Sequence, residues 1–349
     1  MAYTTIDDPS AHFHIQLYTG SGSSGLSVTN DANAGNFSPD FLWLAPRSNG
    51  DNNVIFDSSR GFNKQLKANG NDAEDTHSPA RFTRESDGFD IDTTDTNYNG
   101  SGRTYVAWQW IANNGTTSTN SDGTVNVTTQ VNSTAGFSIM KWNGNGNTSG
   151  TVGHSLGAKP DFIIEKYGLD GTSNWGVAYP AIESSKLLTL NGTNAFATAS
   201  GMSSYNSSTF VDGNGAATGG TIAFAFKNIQ GYSKFGTYTG NGSEDGPYVH
   251  LGFKPQWILF KNADAAEEWV LQDSVRNPHN PVTKNIRVDS NIAEADASSL
   301  DIDFCANGFK NRSNNAQLNS NNTTYIYMAF AQHPFVSSEG VPTTAGGPG

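Results

Sequence analysis

Cysteine is almost absent from this sequence: among 349 residues, Cys305 stands alone. No disulfide can close within the chain, and a thiolate zinc site cannot be assembled from it. Cys305 lies in the strand-like run Asp301-Ile-Asp-Phe-Cys-Ala and reads as a small buried hydrophobe. Charge is scarce as well. Charged side chains make up 15% of the chain, against about 25% in ordinary globular proteins, and they sum to a net charge of −12. No cluster of Lys and Arg occurs, which argues against nucleic-acid phosphates or an anionic bilayer as partners. No apolar run approaches the roughly 20 residues that span a membrane, so membrane insertion is not expected. Met1 to Ser10 carries neither the basic nor the apolar region of a secretory leader, and a chain made and kept in a cytoplasm is expected.

Polarity comes instead from Asn, Ser, Thr and 38 Gly, residues that favour turns and strand surfaces over helix interiors. Aromatic residues (20 Phe, 12 Tyr, 7 Trp) are numerous enough to build cores. No amphipathic helical run is visible; Asp264 to Glu268 is one turn at most. The length suits two or three domains, and the fold class is all-β with negligible helix.

One order of landmarks occurs three times. The last copy opens with Phe235-Gly-Thr-Tyr-Thr-Gly-Asn-Gly242 and continues with Pro255-Gln-Trp-Ile-Leu-Phe260. Asp273-Ser-Val-Arg276 and Asn307-Gly-Phe309 follow, and Tyr325-Ile-Tyr-Met-Ala-Phe330 closes it. The first copy has Tyr18-Thr-Gly-Ser-Gly22, Pro39-Asp-Phe-Leu-Trp-Leu44, Asp57-Ser-Ser-Arg60, Asp87-Gly-Phe89 and Tyr105-Val-Ala-Trp-Gln-Trp110. Tyr18 to Trp110 and Tyr238 to Phe330 are both 92 residues apart. A shorter middle copy, Trp142 to Phe226, lacks the Asp-Ser-x-Arg element. A fixed-order recurrence marks a structural unit. The expected organisation is three tandem jelly-roll-like β-sandwiches: 1–112 with an N-terminal arm, 113–231, and 232–336, followed by a flexible tail at 337–349. Copies two and three, almost without linker, are expected to pack together while the first pivots; 111–135 reads as part linker and part strand.

In the closing elements, alternation puts Val106, Trp108 and Trp110, or Ile326, Met328 and Phe330, on one strand face looking at a core. Their continuous apolar character implies a central strand covered on both faces. Strands are expected to start on Pro39, Pro160 and Pro255. The glycine pairs (Gly20 and Gly22, Gly144 and Gly146, Gly240 and Gly242) are expected to supply positive φ between strands.

The most specific polar signature is Asp57, Ser58 and Arg60, repeated as Asp273, Ser274 and Arg276. On a continuing strand, Ser58 and Arg60 would share a face and Asp57 would look away. The arginine then either binds a carboxylate or sugar, or holds a turn through backbone carbonyls or an acid; duplication preserves fold determinants first, which favours the second. Acidic alternations at Asp87, Asp90, Asp92, Asp95 and at Asp301, Asp303 offer oxygen ligands for Ca²⁺ without the spacing of an EF-hand loop. His12 and His14 form a pair with no third or fourth metal ligand in sight. No Gly-x-Ser-x-Gly elbow and no His-Glu-x-x-His occurs. No catalytic residue, metal or cofactor is therefore assigned.

The opening Met1-Ala-Tyr-Thr-Thr-Ile-Asp-Asp-Pro-Ser-Ala-His-Phe13, the Tyr-Thr-Gly-x-Gly turns, Pro-Asp-Phe-x-Trp, Phe-Asp-Ser-x-Arg-Gly and Tyr-Val-Ala-Trp-Gln-Trp resemble a family of repeat-bearing virion proteins. That family belongs to marine tailed phages of cyanobacteria and related bacteria, and the resemblance covers nearly the whole chain. It implies concanavalin- or laminin-G-like sandwiches and a place on the particle surface. The expectation is a non-enzymatic virion structural protein, a tail-fibre or capsid-decorating component assembled in the host cytoplasm. Its partners would be other virion proteins, further copies of itself, or a host surface glycan. The alternatives are a soluble carbohydrate-binding module stacking sugars on exposed Trp faces, and a polysaccharide depolymerase. Recognition is expected where the copies differ, at 262–268 and 311–322.

Overall fold

The structure, a computed structural model, describes residues 2–32, 35–144, 149–182, 186–198, 201–213 and 219–343. Its regular secondary structure is almost entirely strand. Among the described residues the α-helical segment is Thr96–Asn99, capped by Asp95, whose carboxylate accepts from Asn97 N at 2.9 Å. No helix is long and apolar enough to cross a membrane.

The first sandwich uses β1 (Phe13–Thr19), β2 (Leu26–Val28), β3 (Phe41–Pro46), β4 (Val54–Asp57), β5 (Lys64–Lys67), β6 (Asp75–Thr76), β7 (Phe82–Glu85), β8 (Gly88–Ile91) and β9 (Thr104–Trp110). Its large sheet runs β1-β9-β3-β4-β5-β6 and its small sheet β2-β8-β7, with antiparallel ladders. The next stretch adds β10 (Ser118–Asn120), β11 (Val127–Asn132), β12 (Phe137–Trp142), β13 (Gly150–Gly153), β14 (Phe162–Tyr167), β15 (Trp175–Ala178), β16 (Lys186–Thr189), β17 (Ala197–Thr198), β18 (Met202–Ser203), β19 (Thr209–Asp212) and β20 (Thr221–Phe226). The last has β21 (Ser233–Thr239), β22 (Tyr248–His250), β23 (Phe253–Asn262), β24 (Val270–Asp273), β25 (Lys284–Arg287), β26 (Ala295–Asp296), β27 (Ile302–Cys305), β28 (Gly308–Asn311) and β29 (Thr324–Pro334).

The same order recurs as β12-β20-β14-β15-β16-β17 with β13-β19-β18, and as β21-β29-β23-β24-β25-β26 with β22-β28-β27. At its ends each copy interleaves two sheets as a jelly roll does, while its fourth to sixth strands form a meander. The stretch 111–135 is less linker than expected: β10 and β11 extend the middle copy's large sheet beyond β12.

Each sandwich interior lies between its large and small sheets. Phe56 meets Phe82 at 4.3 Å between ring centroids, Phe260 meets Phe309 at 5.4 Å, and Trp142 meets Phe210 at 6.3 Å. The inward residues of the closing strands are the other set from the one expected: Ala107, Ala223 and Ala225, and Tyr325, Tyr327 and Ala329. Trp108, Trp110, Phe224, Phe226 and Phe330 point the opposite way, yet none is more than 1% exposed.

The chain divides into two compact units. One holds the described residues of Ala11–Lys227 with Val288–Ala293; the other holds those of Met1–Ser10, Asn228–Arg287 and Glu294–Gly349. This corrects three expectations. Copies one and two, not two and three, share a unit, because the backs of their large sheets carry complementary aromatics: Phe41 lies 4.3 Å from Phe224, and Trp110 lies 6.4 Å from Phe226. The N-terminal arm belongs with the third copy, not the first; Tyr3 donates to Gly252 O at 2.9 Å, Thr4 to Gln230 O at 2.8 Å, and Ile6 and Pro9 are buried. The segment 337–343 folds back as a turn, with Ser337 N donating to Val341 O and Thr343 N to Phe335 O, whereas 344–349 lies outside the described residues.

Two local expectations also change. Gly22 and Gly242 have positive φ, but Gly20 and Gly240 are needed for close approach: a Cβ there would sit 2.3 Å from Gly100 O or 2.2 Å from Ser320 O. Gly144 is not at positive φ, and Gly146 lies outside the described residues. β3 and β14 begin two residues after Pro39 and Pro160, while Pro255 lies inside β23 at a bulge, where no ladder bond is asked of it.

Polar ties lock copies one and two together. Glu74 N donates to Leu169 O at 2.7 Å, Trp175 Nε1 to Lys67 O at 2.9 Å, and the buried Lys166 ammonium to Asn71 O at 3.0 Å and to Ser173 O. Burial pushes Lys166 down to about 8. Between pH 8 and the ordinary 10.5, the folded chain therefore releases a proton that the unfolded chain keeps, and folding gains stability as pH rises. Neutral lysine retains N–H donors for both carbonyls. Wild type is thus expected to gain stability relative to Lys166→Met across that window; parallel urea titration curves at each pH would refute it.

Candidate functional site

The repeated Asp-Ser-x-Arg element begins at the last residue of a strand. β4 ends on Asp57 and β24 on Asp273, and the chain then turns, so Asp and Arg meet three residues apart, contrary to the continuing strand expected. Arg60 Nε donates to Asp57 Oδ2 at 2.5 Å, and Arg60 N to Asp57 Oδ1 at 2.9 Å. Its Nη1 reaches Glu74 Oε2 at 3.0 Å and its Nη2 Ile55 O at 3.4 Å. Arg276 repeats every contact, to Asp273, Glu294 and Leu271 O. The side chains of both Asp–Arg pairs are 0% exposed.

The serines differ. Both donate a backbone N–H, Ser58 to Asp40 O and Ser274 to Gln256 O, but the Ser58 hydroxyl also donates to the buried Asp40 carboxylate at 2.8 Å and accepts from Gln130 Nε2 at 3.0 Å. In the middle copy, register places Tyr179 where Asp57 and Asp273 stand, so the node has no acid to start from.

Glu74 carries the first node toward the surface, where Lys64 Nζ meets its Oε1 at 2.7 Å. Burial alone would raise its carboxyl, but the Lys64 hydrogen bond and the Arg60 charge outweigh that and hold it below its usual value. Beside it opens a cleft of about 400 Å³ lined by Lys64, Glu74, Lys141, Asn143 and Asp170, floored by Leu169 and the Gly219–Gly220 backbone. A second recess, of about 570 Å³, shares Lys141 and Asn143 and is bounded by Trp142, Thr124, Val125, Asn126 and Thr128.

The other candidates fall apart or change character. His12 Nδ1 meets Asn132 at 3.1 Å while His14 Nε2 meets Asp31 at 3.0 Å, so each imidazole has its own partner. Asp95 caps the helix and pairs with Arg81 at 2.7 Å, and Asp303 pairs with Arg312 at 2.6 Å. Among the described residues no group of three His, Cys, Asp or Glu side chains gathers as metal ligands. Cys305 is half-buried, not buried, because Ile302 and Phe304 take the inward phase of β27. All seven Trp are at most 2% exposed, so the described surface has no indole face on which to stack a sugar. The segments 262–268 and 311–322 do converge: Arg287 and Gln317 both bond Glu268, at 3.1 and 2.7 Å, and Asn262 Nδ2 reaches Ala316 O.

Sequence reasoning missed an acidic pair inside the middle sandwich. Glu165 and Asp212 are 1% and 0% exposed, on β14 of the large sheet and β19 of the small one. Register puts them where the first copy has Leu44 and Ile91. Comparing the copies position by position would have found them. Neither Glu165 oxygen has a hydrogen-bond partner among the described residues. Burial, with the Asp212 charge added, raises the Glu165 carboxyl well above its usual 4.5. A raised acid keeps its proton in the fold, so its contribution is intact below pH 4.5 and is lost as pH climbs above that value. Glu165→Gln is expected to match wild type in acid and to melt progressively higher than wild type toward neutral pH. A melting difference that does not grow with pH would refute this.

Removing one partner of a buried ion pair leaves the other charge uncompensated, typically costing about 3–5 kcal/mol, whereas replacing both by apolar groups is far less damaging. Arg60→Ala and Arg276→Ala are each expected to lose that amount in urea unfolding. Asp57→Leu with Arg60→Met should lose much less than Arg60→Ala; an equal or larger loss in the double variant would overturn the pairing argument.

The fold and its buried nodes define an all-β protein of several sandwiches whose recurring polar residues hold the frame. The chain belongs to the family described as Domain of unknown function (DUF7483), which matches residues 8–334, across all three copies. No curated protein and no solved structure matches the chain.

Proposed function

We propose that the chain is a non-enzymatic structural protein of a tailed-phage particle, carried on the tail or capsid surface and engaged in assembly or host attachment. The observation that carries this reading is that the residues recurring between copies are frame-builders. Arg60 and Arg276 lie at zero side-chain exposure on matching acids, and the glycine turns press against backbone. A duplicated catalytic or ligand site would instead keep its recurring polar groups open to solvent.

Two further features support the same reading. The backs of two large sheets are joined through aromatic rings, which makes a stiff block suited to a fixed place in an assembly. The edge of the middle copy already accepts the added strands β11 and β10, the kind of edge on which neighbouring subunits dock. The resemblance to marine phage virion proteins supports a place on the particle, and the host cytoplasm is where such a chain would assemble. Quantitative mass spectrometry of gradient-purified particles is expected to find the chain at a fixed ratio to the major capsid protein. Its absence from infectious particles would end the proposal.

A further inference from the structure

The seam between the first two sandwiches carries polar groups that the frame does not use. Glu74 is paired with both Lys64 and Arg60. The side chains of Lys141 and Asp170, in the same cleft, have no ion-pair or hydrogen-bond partner among the described residues. Two lysines and two acids leave the cleft without net charge, which gives no reward to a strongly anionic or cationic ligand. It presents N–H donors and carboxylate acceptors side by side. Hydroxyl groups, which donate and accept at once, match such a surface.

The floor is preformed. Glu74 N bonds Leu169 O at 2.7 Å and Leu169 N bonds Gly220 O at 3.0 Å, so both sandwiches are fixed at the base of the cleft. Gly219 leaves room for the acid above it: a Cβ there would sit 1.5 Å from Asp170 Oδ1. The volume of about 400 Å³ falls in the range of about 300–1,000 Å³ usual for small-ligand sites. Lys141 and Asn143 also border the second recess. Two recesses on either side of Lys141 and Asn143 suit successive units of a chain.

We propose that this pair of recesses binds a neutral oligosaccharide, with Asp170 accepting from adjacent ring hydroxyls and Lys141 and Asn143 donating to sugar oxygens of the next residue. The site lies away from the buried Asp–Arg nodes and needs no exposed aromatic face. It goes beyond the particle reading and does not depend on it, since isolated full-length chain suffices for the test.

Saturation-transfer NMR and calorimetry with cellobiose, maltose, lactose and chitobiose are expected to show saturable millimolar binding of at least one. The matching trisaccharide should bind more tightly than the disaccharide. A lost hydrogen bond to a charged group corresponds to about tenfold or more in affinity. Asp170→Asn and Lys141→Met should each weaken binding by that factor, and Asn143→Ala should weaken it too, with melting temperatures unchanged. Three results would overturn the proposal: no binding by any of these sugars, binding unaltered in all three variants, or saturable binding of inorganic phosphate alone.

Discussion

Each large sheet in this chain has two apolar faces to remove from water, and everything else follows from how that is done. One face closes on a three-stranded sheet and makes an ordinary sandwich interior. The other carries Phe41, Trp43, Trp108, Trp110, Phe224 and Phe226, none more than 1% exposed. Fully burying one such ring is worth roughly 1.5–3 kcal/mol, and pairing it edge-on or offset with another adds about 0.5–1.5 kcal/mol. In the unit that holds the first two copies, ring-to-ring contact of those backs is the cheapest way to cover them. The copies therefore behave as one body, whatever the length of the connection between them.

Around that apolar constraint the buried polar groups act as locators. The Asp57–Arg60–Glu74 and Asp273–Arg276–Glu294 nodes fix the turn after the fourth strand of the first and third copies. Lys166 holds two carbonyls across the seam between copies one and two. Such groups add little net stability, because desolvation offsets attraction, but a misplaced turn or seam would leave a charge buried alone. Glu165 is the exception, since its oxygens meet no donor among the described residues and its proton takes the place of a partner. The middle copy thus carries both the loss of the Asp-Ser-x-Arg node and a carboxyl pair where the first copy has Leu44 and Ile91. It is the most diverged copy in chemistry as well as in length.

Much of the fold was readable from patterns of period two. The order of landmarks located the opening, third and closing strands of each copy and the fourth strand of the first and third, and the apolar closing run implied a strand covered on both faces. Periodicity names the two faces of a strand without saying which one meets the small sheet, so Trp108 and Phe330 were assigned to the wrong core. Arg60 was read on a continuing strand because no Gly or Pro stands between Asp57 and Arg60; the carboxylate's grip on Arg60 N and Nε, with Gly61 N donating to Asp57 O at 3.0 Å, makes that turn. Of the cleft, nothing was legible. Lys64, Lys141 and Asp170 are ordinary surface residues until the backs of two sheets bring them together.

By itself the sequence determined that the chain is all-β, that one plan is repeated, and that its Asp–Arg and Tyr–Gly landmarks belong to that plan. These are local facts, set by alternation, turn chemistry and spacing. Only the tertiary structure decided which copies share a unit, that the N-terminal arm lies with the third copy, that every tryptophan is hidden, and where open polar groups remain. Those outcomes depend on which apolar faces find complementary partners far along the chain, and spacing along a sequence carries no record of that.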